Sequence, residues 1–191
     1  MNFKELNKLD LSRNNISNIN ILGKVNFEKL KELNLSFNDI SDIEILEKVK
    51  FIELRELNLM FNKISDINIL EKINFVQFNK FDLSSNKIPD TNILEKLNFE
   101  KLNRLDLGYN KISDINILEK INFEKLNGLY LRSKNISYFD ILEKLNFKEL
   151  NLRGNQISDI NILQKVNFKK LNFNKISDIN ILEKVNFLVI F

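Results

Sequence analysis

The chain has 191 residues, of which 29 are basic, 26 are acidic and 43% are hydrophobic. Charge so nearly balanced excludes the clustered basic footprint of a nucleic-acid binder. With no cysteine and no histidine, a disulfide framework, a thiolate metal site and the commonest general base are excluded too.

At the N-terminus, MNFKELNKLDLSRN carries no signal-peptide core, and no apolar run approaches a membrane span. Both features favour a cytoplasmic protein without a membrane segment. The chain enters a repeat at once. An asparagine recurs at Asn14, Asn38, Asn62, Asn86 and Asn110, each 24 residues after the last. The next slot is Lys134, and the column resumes at Asn155 and Asn174. A phenylalanine column, Phe3, Phe27, Phe51, Phe75, Phe99, Phe123, Phe147, Phe168 and Phe187, runs in parallel. A period of this size marks a solenoid whose units touch only their neighbours. Residues 1–191 therefore read as one domain, with repeats near 24 residues to about residue 146 and shortened ones over 147–191.

The unit is clearest from Phe99 to Phe123, FEKLNRLDLGYNKISDINILEKINF. Leu102, Leu105 and Leu107 predict a short strand with its leucines turned inward. Strands one repeat apart can pair only in parallel. Ile112, Ile115 and Leu118 at three-residue spacing predict a short return, 3₁₀ or one to two turns of α-helix. Ser113 or Asp114 stands where an N-cap is expected. The result is an α/β right-handed solenoid of about eight repeats. Its parallel sheet is concave and ~34 Å long at about 4.8 Å per strand.

Along the chain, repeat four replaces leucines by Phe78 and Phe81, and Pro89 falls at the expected helix start, where no amide is lost. Repeat six carries Lys134 in the asparagine column, which predicts a local defect, and Tyr138-Phe139 in place of Asp-Ile. Repeat seven lacks three residues before its strand and repeat eight lacks five. The chain stops at Leu188-Val189-Ile190-Phe191, an apolar edge suited to association. Neither end carries a polar cap, so a fragment or a decaying array is expected, with a last strand over Leu188–Phe191 that dimerises or packs on an absent domain as the rival.

The asparagine column reads as a buried amide ladder that donates to and accepts from turn backbones. The acidic column Asp42, Asp66, Asp90, Asp114, Asp159 and Asp178 resembles an oxygen-rich cation site, but helix capping explains it without metal. Glu-Lys pairs from Glu47-Lys48 to Glu183-Lys184 read as solvated convex stripes. Ser133-Lys134 lacks an oxyanion pocket, and no glycine-rich phosphate loop exists, so no catalytic, cofactor or metal residues are assigned. The sharper signal lies on the concave face. Arg13, Phe37, Met60, Phe61, Arg104, Asp106, Tyr109 and Tyr130 are the candidate protein-binding residues, since interface cores favour aromatics, Met and Arg. The bland alternative has Phe37 and Phe61 turning into the edge to pack on each other.

L-x-x-L-x-L-x-x-N-x-I over Phe3 to Phe187 resembles the leucine-rich repeat. The N-K-I-S-D-I runs at Asn62–Ile67, Asn110–Ile115 and Asn174–Ile179 resemble internalin-like surface proteins. They also resemble the short-repeat class typified by a regulatory subunit of protein phosphatase 1. The resemblance implies a horseshoe-shaped, non-catalytic module that binds a protein on its concave face. The other reading is a structural fragment of a longer surface adhesin or regulatory subunit.

Overall fold

The computed structural model describes residues 3–73, 77–97, 100–120, 125–133, 136, 141, 148–155 and 170–172, the last three as backbone only. Among these residues, eight three-residue strands form one parallel sheet in sequence order. They are β1 (Lys8–Asp10), β2 (Glu32–Asn34), β3 (Glu56–Asn58), β4 (Lys80–Asp82), β5 (Arg104–Asp106), β6 (Gly128–Tyr130), β7 (Glu149–Asn151) and β8 (Lys170–Asn172). Register follows the repeat: Leu9, Leu33, Leu57, Phe81, Leu105 and Leu129 stand opposite one another at steps of 24. The residues missing from repeat seven are absorbed before its strand, because Leu150 still pairs with Leu129. Leu171 then pairs with Leu150 at the same step of 21. The further shortening of repeat eight therefore falls between its strand and Asn174.

The returns over Asn20–Lys24, Glu44–Lys48, Asn68–Lys72, Asn92–Lys96 and Asn116–Lys120 are 3₁₀ helices. Three-residue spacing dictates this form, since residues i and i+3 eclipse and share one buried edge. Ile43, Leu46 and Val49 are one such edge, joined by Leu46 N–H to Ile43 O at 3.0 Å and Val49 N–H to Leu46 O at 3.3 Å. The capping aspartate stands one residue earlier than an N-cap. Ile43, Ile67 and Thr91 occupy the cap positions, while Asp42, Asp66, Asp90 and Asp114 accept the N–H two residues on at 2.8–3.0 Å. Pro89 is likewise displaced from its expected place. It lies in the exposed connector before Thr91, outside the helix that begins at Asn92.

Between sheet and returns lies one continuous apolar core, with Leu30, Leu35, Ile40, Leu54, Leu59 and Ile64 all at 0% exposure. Each such side chain stabilises the fold by roughly 1.5–3 kcal/mol through burial. The asparagine ladder is present as expected. Asn62 donates to Leu35 O at 3.0 Å and Leu59 O at 3.1 Å, and its Oδ1 accepts Ile40 N–H at 3.0 Å. Asn38, Asn86, Asn110 and Asn155 repeat this pattern. Lys134, Tyr138, Phe139, Asp159, Asp178 and Leu188–Phe191 lie outside the described residues. Of the phenylalanine column, Phe27 is buried and stacks on Phe3 at 6.4 Å. Among the described residues no helix is long and apolar enough to cross a membrane.

Candidate functional site

Strand alternation turns the first and third residue of each strand to the outer sheet face. A hollow of 320 Å³ there spans β1 to β5 and is lined by Lys8, Asp10, Glu32, Asn34, Glu56, Asn58, Lys80, Asp82 and Arg104, among others. Its charges are largely paired within the chain, Lys8 with Glu32 and Lys80 with Glu56, both at 2.6 Å. Exposed pairs of this kind contribute little stability.

Just past the strands, the chain turns sharply back toward the core. Arg13, Phe37, Phe61, Ser85 and Tyr109 all take φ between 54° and 57° there, and Gly154 takes the same slot at 81°. Left-handed backbone costs a non-glycine residue roughly 1–2 kcal/mol. Glycine would serve, yet four of these five slots hold a bulky side chain. The turns bond to one another, Phe37 N–H to Met60 O and Phe61 N–H to Ser84 O, both at 2.9 Å. Their side chains consequently form a row along one rim of the sheet face. Phe37 and Phe61 stack at 4.9 Å and 19°, and the Arg13 guanidinium sits 5.1 Å over Phe37. The two rings do pack on each other, while Phe61 stays 55% exposed. Met60 is half-buried beside them.

A second cluster occupies β5 to β7. Arg104 lies 4.1 Å over the Tyr130 ring, and the Tyr130 hydroxyl donates to Glu149 Oε2 at 2.7 Å. The ring has room because Gly128 bears no side chain; a Cβ there would meet Tyr130 Cε2 at 3.1 Å. Burial, and next the bond to Glu149, push the Tyr130 phenol above its ordinary value. Tyr109 is 51% exposed with Arg132 5.4 Å over its ring.

Asp106 behaves differently from the other candidate residues. It is buried, with Oδ1 accepting Gly108 N–H at 3.0 Å and Oδ2 accepting Arg132 Nη2 at 2.6 Å. Its column, Asp10, Asn34, Asn58, Asp82, Asp106 and Asn151, accepts the N–H two residues on and so closes each strand end. This second ladder escaped the sequence reading, although the run of Asp and Asn from Asp10 to Asp106, interrupted at Tyr130, was a visible signal. Arg132 was missed as well. It stands where Ser12, Ser36, Met60, Ser84 and Gly108 stand in earlier repeats, so a long cation among mostly small residues was the clue.

Burial, and then the neighbouring Asp82 carboxylate, raise the Asp106 carboxyl above its usual range, against the Gly108 amide, Arg132 and Arg104. A raised folded value means that ionisation weakens the fold. The contribution is fully present below the unfolded carboxyl value and is lost as pH rises through the folded one. Wild type is therefore expected to gain stability relative to Asp106→Asn as pH falls through that window. Urea midpoints measured from neutral pH to acid check this, and parallel curves for the two proteins would contradict it.

Two family models match the chain. One, described as leucine-rich repeats in two copies, covers residues 28–72, and the other, a leucine-rich repeat, covers 100–115 and 144–160. Internalin C2 of Listeria monocytogenes matches with a TM-score of 0.63 at 22% identity, over 88% of this chain and 80% of that one. The PEPR1–AtPEP1 structure matches with a TM-score of 0.65 at 20% identity, over 94% of this chain and 28% of that one. The plant peptide hormone receptor RGFR1 in complex with RGF2 gives 0.56 at 16% identity, over 89% and 37% respectively. No curated protein matches. At such identities the likeness is one of fold.

Proposed function

Because this chain is a leucine-rich-repeat protein that resembles internalin-like proteins, we propose that it is a non-catalytic module binding a protein partner along the sheet face and its aromatic rim. One observation carries the reading. Phe37, Phe61 and Tyr109 hold a left-handed backbone that glycine would adopt more easily, and Phe61 and Tyr109 remain half-exposed. The turn itself recurs along the array, at Arg13, Ser85 and Gly154 too, and solvent-facing aromatics kept in it where glycine would relieve the strain support a role in function. Aromatics and arginines are also the side chains that carry most binding energy at interfaces. Arg13, Phe37, Met60 and Phe61 form one anchor, and Arg104, Tyr109 and Tyr130 a second, with Asp106 positioning Arg132. The solved structures of PEPR1 with AtPEP1 and of RGFR1 with RGF2 are of the same fold and hold ligands, which supports a binding role.

The backbone also supplies a clean test. Phe61→Gly and Tyr109→Gly relieve the left-handed strain while removing the rings, so stability should stay within about 1 kcal/mol of wild type. Affinity for a partner captured by wild type should fall by at least about 30-fold, as loss of an anchor residue implies. Circular dichroism confirms folding and titration of the captured partner reads the affinity. Unchanged affinity in both variants would remove the rim from the interface.

A further inference from the structure

Resting on that reading of the rim, we infer that the slot over Ser85 receives one neutral aromatic side chain from the bound partner. Residues 61, 85 and 109 share one backbone conformation, with φ of 56°, 55° and 54°. Their turns bond in succession, Phe61 N–H to Ser84 O at 2.9 Å and Ser85 N–H to Gly108 O at 2.8 Å. Their Cβ atoms accordingly point the same way from consecutive rungs. At about 4.8 Å per rung, Phe61 and Tyr109 stand ~9.6 Å apart with a serine between them. Two rungs in which one ring is missing leave a gap one ring wide. The row itself gives the template, since Phe37 and Phe61 on adjacent rungs stack at 4.9 Å. The two walls of the gap are also the most exposed aromatics on the rim, at 55% and 51%, whereas Phe37 is half-buried.

Charge selects the occupant. Arg13 already lies over Phe37 at one end of the row, and Arg132 over Tyr109 at the other. A cation entering the slot would share the Tyr109 ring with Arg132, and two further cations, exposed Lys87 and Lys111, stand two residues beyond Ser85 and Tyr109. Of the strand-end carboxylates, Asp106 is paired with Arg132 and accepts the Gly108 amide, and Asp82 Oδ1 accepts the Ser84 amide and hydroxyl. An uncharged ring meets no such opposition and gains offset stacking on both faces.

Ser85→Tyr is the probe, because Tyr109 already shows that tyrosine fits this backbone. It fills the slot from within, so the urea midpoint should hold or rise. A phage-displayed library of random linear peptides is selected on wild type, and the enriched peptides are synthesised and titrated. The expected result is one shared aromatic position. Binding should also weaken at least about 30-fold on Ser85→Tyr and, as a second variant that removes a wall, on Tyr109→Gly. Peptides that depend on Tyr109 but bind Ser85→Tyr as tightly as wild type would overturn the slot and leave the rim as the interface. A shared arginine or lysine in place of the ring would overturn the choice of occupant. If no peptide depends on Phe61 or Tyr109, the rim reading fails and the slot with it.

Discussion

Asn62→Ala is expected to lower the unfolding free energy by about 3 kcal/mol, the sum of a buried orphan amide and the lost bonds of the rung. The carbonyls of Leu35 and Leu59 would each keep one donor, since Asn38 also reaches Leu35 O at 3.1 Å and Asn86 reaches Leu59 O at 2.9 Å. Ile40 N–H has its bond to Asn62 Oδ1 in a fully buried setting, and that donor would be stranded. Asn14 supplies the contrast. It is exposed and serves only the Leu11 and Ser12 carbonyls of its own repeat, so Asn14→Ala should cost less than about 1 kcal/mol. Urea unfolding followed by circular dichroism separates the two. Asn62→Asp sharpens the point, because a carboxylate can accept from Ile40 but aims oxygen at the Leu35, Leu59 and Met60 carbonyls. Its folded value must rise above the ordinary ~3.9. The variant should then be weakest at neutral pH and recover as acid protonates it. Equal losses for Asn14→Ala and Asn62→Ala would mean that the ladder contributes nothing beyond its own turn.

The ladder was legible in the sequence because it depends on one residue type at one spacing. The same holds for the parallel register, the inward leucines and the three-residue return. What stayed hidden depends on backbone angle and on neighbours in the next repeat. Arg13, Phe37, Phe61, Ser85 and Tyr109 have nothing in common as residue types, so their shared left-handed φ left no mark except Gly154 in the same column. Strand alternation sends Asp106 outward, yet it is buried and pairs with Arg132, 26 residues on, which periodicity cannot show. The Tyr130 position had a subtler cause. Its ring lies over the space that Gly128 leaves empty and reaches Glu149 in β7, so a gap in one column is filled by a departure in another.

Repeat four contains a paired departure of the same kind, inside the core. Phe78 and Phe81 are each 1% exposed and meet edge to face, with centroids 5.9 Å apart at 83°. Phe81 stands in register with Leu57 and Leu105. Phe81→Ala is expected to cost about 4 kcal/mol, since the ring leaves a cavity that neighbouring repeats cannot collapse into. In a one-dimensional array such a loss also weakens coupling across the middle, so the unfolding transition should broaden as well as shift. Phe81→Leu restores the residue of the other repeats but removes the edge-to-face contact with the Phe78 ring. Phe78→Leu removes the same contact, and the double variant loses it once rather than twice. The double change should therefore cost less than the summed singles by about 1 kcal/mol. Strict additivity in that cycle would show that the rings fill volume independently and that their edge-to-face geometry adds no stability of its own.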